Sequence, residues 1–270
     1  MPYSSPISDR NPEPNNRDLL TLLLFFSSAI VTIIIVIFIL INQVINFIPV
    51  ELEQKLGSII TSQLNLKNND SPTQKELNKL LDKLEQKIPK DNIANRDYQL
   101  IYVPEKTVNA LAVPGDIIII YQGLLEKMDS ENELMMVLGH EIGHFAHRDH
   151  LRKIGNVFLM QLLFSFLFGQ NDLLSSGANL TNLIVNSQYS QKQETAADQF
   201  GLELLNQYYG HVAGASDFFA ELEKENQLNE QIAFLSSHPL PEKRVQDINQ
   251  LIEKNNYILG EKQPLDISKN

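Results

Sequence analysis

The chain has 270 residues, a formal net charge of −11 and 43% hydrophobic residues, which leaves room for one catalytic-size domain with accessory segments. The acidic balance argues against a nucleic-acid partner, which needs a basic face. With no cysteine, thiolate metal sites, disulfide frameworks and cysteine nucleophiles are excluded, so any metal must be held by His, Asp or Glu.

Residues 1–18 are rich in Pro, Asn and Ser and read as a disordered tail. From Leu19 to Val50 there is no charged residue, and Leu19–Ile41 is almost wholly apolar. About 20 such residues cross a bilayer as a helix. The run is longer than the apolar core of a cleaved signal peptide, and its flank is mixed in charge rather than basic. Residues 19–48 are therefore expected to be a retained, single-pass transmembrane anchor in contact with lipid. Arg10 and Arg17 on one side and Lys55 and Lys67 on the other leave its orientation open.

Residues 49–94 read as a polar linker, Glu51–Asn69, and then an amphipathic helix. Ser71, Pro72 and Gln74 stand in capping-box order, and Leu77, Leu80, Leu81, Leu84 and Ile88 form an apolar stripe expected to dock on the core. Strand signals follow at 98–103 and 107–113, then a Pro114-Gly115-Asp116 turn and the run "IIIIY", 117–121. Ser130 and Glu133 open a helix expected to reach about Arg148. The stretch 157–169 is apolar on all sides but short for a span, and reads as a buried or interfacial helix. A long helix from about Ala178 to Tyr209 is stopped by Gly210, and helices near 213–226 and 241–254, the last starting at Pro241, complete a domain of residues 95–256 before a C-terminal tail, 257–270. The fold class is mainly α (α+β), with a small β-sheet beside the 130–148 helix.

Four of the six histidines fall between His140 and His150. His140 and His144 are i and i+4, so both rings leave the same helix face one turn apart and can converge on one ion. Glu141 sits one residue round the helix, beside such an ion rather than on it. This H-E-x-x-H arrangement supplies two zinc ligands and a carboxylate placed to handle a proton. A catalytic zinc needs a third protein ligand and an open fourth position. In "ETAAD", Glu194 can complete a His₂Glu set, and Asp198, one turn on, can accept a hydrogen bond from the distal nitrogen of His140. Ala196, Ala197 and Gly201 are small enough to let the two helices approach closely. His147 shares the stripe of His140 and His144 but is not chosen as a ligand. His150 reads as a capping or surface residue, and His211 has no identifiable partner. Arg244 either pairs with a carboxylate such as Asp198 or sits on a solvated face. A lone loop histidine such as His238 is usually surface.

The segments "HEIGH", "ETAAD", "NALAVPGD" and "SSHPLPEKR" together resemble the zinc metallopeptidases of the HtpX and CAAX-prenyl-protease type, peptidase family M-forty-eight of the gluzincin clan, across residues 95–255. The resemblance implies a zincin-like domain with one zinc ion per chain, endopeptidase activity, ligands His140, His144 and Glu194, and Glu141 as catalytic base. It also implies that Asp198 supports a ligand and that His238 lies near the metal, either stabilising the oxyanion or ligating zinc in a closed resting state. Asn109 and Ala110 match the strand lining the family's substrate cleft. Asp116 departs from the pattern, which usually has a second glycine there. Protein or peptide substrates are expected, gripped main chain to main chain by an edge strand, with 109–113 favoured over 117–120. That mode selects unfolded or flexible segments and fits quality control of membrane or envelope proteins. The rival readings are a catalytically silent zinc-binding membrane scaffold or chaperone, and a membrane-tethered adaptor whose motif is coincidental.

Overall fold

The computed structural model describes residues 15–63, 70–89, 96–168, 187–227, 232–239 and 243–267. The first helix, α1 (Asn16–Val44), buries none of its residues and exposes its Leu, Ile, Val and Phe side chains. Together with the short 3₁₀ turn Ile45–Phe47 it is long and apolar enough to cross a membrane.

The segment read as a polar linker is largely helix. In α2 (Val50–Gln63), Glu53, Gly57 and Ile60 form a buried stripe. Only one of those three is apolar, so hydrophobic periodicity gave no signal. Gly57 is needed because a Cβ there would meet the Pro114 carbonyl oxygen at 2.0 Å. Next, α3 (Pro72–Glu85) docks through its leucine stripe as expected. Ser71 caps it by accepting from the Gln74 amide N–H. The Gln74 side chain serves another element: it donates to the Leu100 carbonyl and accepts from the Tyr102 N–H, each at 2.8 Å, as a neighbouring strand would.

Three strands follow, β1 (Gln99–Val103), β2 (Ala110–Val113) and β3 (Ile117–Tyr121), in the spatial order β1-β3-β2. β3 is central, parallel to β1 and antiparallel to β2. Its isoleucines are buried on both faces: Ile118 and Ile120 join the main helical core, while Ile117 and Ile119 meet Ile60 of α2. β2 is therefore an edge strand, as favoured from the sequence. The turn before β3 has two consecutive left-handed residues, Gly115 (φ 89°) and Asp116 (φ 62°). Aspartate tolerates that region better than most residues. Here its carboxylate also pairs with Arg96 and accepts from Gln54, which accounts for Asp at a position where glycine was expected.

After the short α4 (Gln122–Glu126) comes α5 (Glu131–Ala146), capped by Ser130 and buried along almost its whole length. It ends short of Arg148, because Arg148 is left-handed (φ 55°) and turns the chain into α6 (Asp149–Phe168). Arg148 also donates to the Ile45 and Ile48 carbonyls, fastening this corner to the segment that follows α1. The apolar stretch 157–168 is the second half of α6, which runs beside α1 with Gly155 against Ile41 and Ile45. Phe158, Met160 and Leu162 are exposed there.

The long helix, α7 (Gln191–Tyr209), starts later than expected, where Ser190 and Gln193 close a capping box. Residues 178–186 of that expectation lie outside the described residues. Gly210 (φ 74°) ends α7 as foreseen. The chain then forms α8 (Asp217–Gln227), α9 (Phe234–Ser237) and α10 (Arg244–Lys254), and the expected start at Pro241 also lies outside the described residues. The segment read as a C-terminal tail is docked: Pro264 bridges to Ser130, the Ile258 carbonyl accepts from Val212, and Ile267 is buried. His211, for which no partner was foreseen, stacks on Tyr209 and accepts from the Ala213 N–H.

Candidate metal centre

Everything that positions the site follows from how closely α5 and α7 cross. A Cβ on Gly139 would lie 3.0 Å from the Gly201 Cα, and one on Gly143 would lie 2.9 Å from the Ala197 Cα. Two of the three small residues singled out in the sequence, Ala197 and Gly201, make this contact, while Ala196 lines a cavity together with Phe38 and Asn42 of α1. At that separation His140 and His144 of α5 meet Glu194 of α7 in a buried cluster, and His238 joins from the end of α9. One ligand atom from each of these four residues lies within 4.8 Å of all the others, a grouping able to hold a metal ion.

The hydrogen bonds around the cluster decide what it wants. His140 donates from Nδ1 to Asp198 Oδ1 at 2.9 Å, and His144 donates from Nδ1 to Asp149 Oδ2 at 3.1 Å. With both Nδ1 atoms committed as donors, a neutral ring presents Nε2 as a bare acceptor, and the two Nε2 atoms face each other at 3.1 Å. Glu194 presents Oε1 to His144 Nε2 at 3.4 Å and Oε2 to His140 Nε2 at 3.6 Å. So many acceptors facing one point, away from water, call for a cation. The donor set, two imidazoles and a carboxylate, suits a divalent ion of the zinc type.

His238 has two faces. Nδ1 lies 3.2 Å from both His140 Nε2 and Glu194 Oε1, while Nε2 points at Glu141 Oε1, 3.4 Å away. That Nε2 and both carboxylate oxygens of Glu141 are buried without a hydrogen-bond partner. Burial raises the Glu141 carboxyl above its ordinary pKa and pulls His238 down to about 4. Glu194 is pushed up by burial, but the opposing pull of His238, Arg244 and His140 wins and holds it well below the usual carboxylate range.

Arg244, left open by the sequence, is buried in the site. It donates to Asp198 from Nε (3.1 Å) and Nη2 (2.7 Å) and to Glu194 from Nη1 (2.8 Å), over the face of Phe219. It ties both α7 carboxylates to α10. Three participants were not foreseen. Asp149, the first residue of α6, holds His144 and accepts from Gln193. It is five residues beyond His144, across the left-handed corner, where no helical spacing applies. Tyr189 stacks on His144 at 3.8 Å and 12°, and its N–H donates to the Ser237 carbonyl. Lys153 is buried with its Nζ 4.5 Å from the Tyr189 ring centre, and burial lowers its pKa to about 8.

The reading of His150 as a capping or surface residue is wrong. It is buried and donates from Nε2 to Glu53 Oε1 at 2.5 Å. Its partner comes from α2, a helix the sequence reading had taken for linker. His147 is exposed, donates to the Gly143 carbonyl and stands outside the cluster. Asn109 and Ala110 lie at the start of β2, which packs on α5, and Asn109 Oδ1 is a buried acceptor without a partner.

A motif helix bearing two histidines and a glutamate, crossed by a second helix with a further glutamate and flanked by a small sheet, is the architecture of the zincin-like metallopeptidases. Comparison with known proteins agrees and is more specific: the sequence model of peptidase family M48 matches residues 73–252, and the chain belongs to that family. It is 35% identical to the metalloprotease LoiP of Escherichia coli (strain K12) over 149 residues, 53% of this chain and 58% of LoiP. It is 28% identical to the mitochondrial metalloendopeptidase OMA1 of Schizosaccharomyces pombe over 155 residues, 57% of this chain and 46% of that protein. It is 23% identical to the beta-barrel assembly-enhancing protease of Yersinia pestis over 168 residues, 58% of this chain and 35% of that protein. The chain thus matches between about a third and three fifths of the length of these relatives.

Proposed function

We propose that the chain is a membrane-anchored zinc metalloendopeptidase that hydrolyses peptide bonds in unfolded or flexible protein segments, in the quality control of membrane or envelope proteins. In this reading His140, His144 and Glu194 hold one zinc ion per chain, and residues 19–48 hold the protein in the lipid. A bound zinc ion supplies Lewis acidity and brings the pKa of a water molecule to about 7. Glu141 accepts a proton from the attacking water and passes it to the departing amine. Its raised pKa suits a group that must both take and return a proton. Asp198 and Asp149 fix the two imidazoles in the tautomer that presents Nε2. His238 contributes from a loop rather than from the packed helix pair, and is the exchangeable fourth donor. With its Nε2 beside Glu141, it is also placed to donate to the developing oxyanion. The unpaired edge of β2 grips an extended chain through backbone hydrogen bonds, with Asn109 Oδ1 as a further acceptor and Ala110 leaving room for the chain.

One observation carries the reading: the Glu141 carboxylate is buried against the donor set with neither oxygen satisfied. An unsatisfied buried carboxylate is costly and adds nothing to a site that merely holds helices together. The four-donor grouping does favour one alternative, a closed structural zinc site in a silent scaffold or chaperone. Casein degradation with and without chelator, beside the Glu141→Gln variant, separates the two. A peptidase loses activity on chelation and in the variant, which keeps its metal; undiminished degradation by Glu141→Gln would refute the assignment.

A further inference from the structure

Lys153 has no part in the mechanism above, yet it is set against the site. It lies on the first turns of α6 and is only 8% exposed. Among the described residues, no carboxylate stands within 4.0 Å of its ammonium group: it feels the charges of Glu141 and Glu194 only at a distance, and lies 4.5 Å from the centre of the Tyr189 ring that stacks on His144. Lysine is seldom buried without an anionic partner, because desolvating its charge goes unrepaid.

Its surroundings suggest what the partner is. Lys153 lines a small pocket with Leu111–Pro114 of β2 and its turn, Ile60 of α2, and His150. The His150 Nε2 is already engaged by Glu53, and the other walls are apolar. Among the described residues lining the pocket, the ammonium is therefore the polar side-chain group without a hydrogen bond or ion pair at contact distance. The pocket also runs along the edge strand. An extended chain lying against β2 directs alternate side chains to the same side, so one of them is presented to this pocket. A small, mostly apolar pocket with a buried lysine in its wall suits a short aliphatic stem that ends in a carboxylate.

We propose that Lys153 and the edge of β2 form a subsite for an acidic side chain of the bound polypeptide, so that the site favours segments with Asp or Glu close to the scissile bond. This rests on the peptidase reading, but is tested by binding. The probes are fluorescent peptides blocked at both ends, so that no terminal carboxylate can substitute, in which a single Glu or Gln is walked along a neutral sequence. Anisotropy is measured on the zinc-loaded full-length Glu141→Gln protein, which keeps Lys153 and does not turn the peptides over. At one position the Glu peptide should bind about 10- to 100-fold tighter than its Gln twin, the range of a charge-assisted contact. Adding Lys153→Met should bring that ratio to about one, and Lys153→Arg should preserve the preference. A ratio of one at every position in the protein with its native lysine overturns the proposal without recourse to any variant. So does a Lys153→Met change that weakens both peptides equally, because the lysine then supports the shape of the site rather than binding the acidic side chain. Should the wild type cleave none of the peptides while the Glu preference stands, the peptidase reading fails and this one survives.

Discussion

Each histidine of the motif helix has its outer nitrogen held by a carboxylate from a different element, Asp198 of α7 for His140 and Asp149 of α6 for His144. Such partners fix the ring orientation and raise the basicity of the nitrogen that faces the ion. Replacing either with asparagine leaves the shape and removes the charge. Asp198→Asn and Asp149→Asn should each weaken zinc binding by about 10- to 100-fold, measured by competition with a chromogenic chelator. Equal affinity in Asp149→Asn would reduce that residue to a helix-capping role. His238 differs because it is not buttressed in this way. His238→Ala should keep its stoichiometric zinc while turnover falls by about 10²–10³, the usual effect of losing one oxyanion donor. Loss of the metal in that variant would instead make His238 an obligatory ligand.

At the scale of elements, what could be read from the sequence was what helical periodicity converts into geometry. His140, His144, Glu194 and Asp198 are all related by i, i+4 spacing, and all four come together in the structure. The residues that escaped lie across turns or between elements. Asp149 follows a left-handed corner, Tyr189 precedes a helix cap, and Glu53 belongs to a helix whose buried stripe is mostly not hydrophobic. The fold class was readable because the isoleucine run and the capped helices are strong local signals. The place of α2 was not, since a buried ion pair leaves no trace in hydropathy. Two predictions belong here. Gly143→Ala puts a Cβ 2.9 Å from the Ala197 Cα and 3.1 Å from its carbonyl oxygen, backbone atoms that cannot step aside. It should cost about 1–3 kcal/mol, read from chemical denaturation of the solubilised protein. The second concerns α2. Burial pushes the Glu53 carboxyl up, but hydrogen bonds from His150 and Arg96 overcome this and lower its pKa from 4.5 to about 2. A depressed carboxylate stabilises the fold fully above its unfolded pKa, and that contribution fades as pH falls from about 4.5 toward about 2. Amide exchange in α2 should accelerate across that window, and Glu53→Gln should abolish the pH dependence while lowering protection at neutral pH.

Across the whole molecule, α1, the sheet and the helices of the site are fastened at a few polar points around the apolar clusters on the two faces of the sheet. Arg148 holds the segment that follows α1, Glu53 and Asp116 hold α2 and the β2–β3 turn to Arg96, and Arg244 ties α10 to α7. The cluster of acceptors lies where α5, α7 and the α9 loop converge, so an ion there cross-links segments far apart in sequence. Two imidazole nitrogens facing each other at 3.1 Å gain from a cation between them. An ion that binds only the native arrangement stabilises it by about 4 kcal/mol when present at a thousandfold excess over its dissociation constant. For a domain of this size each kcal/mol moves the melting temperature by about 2–4 °C. Chelation should therefore lower the Tm of the purified protein by about 8–16 °C, and zinc should restore it while magnesium, which prefers oxygen ligands, should not. The same scan on His140→Ala should show a lowered Tm that neither chelator nor zinc moves. A wild-type melting curve indifferent to chelator would mean that these four buried side chains were assembled for something other than a metal ion.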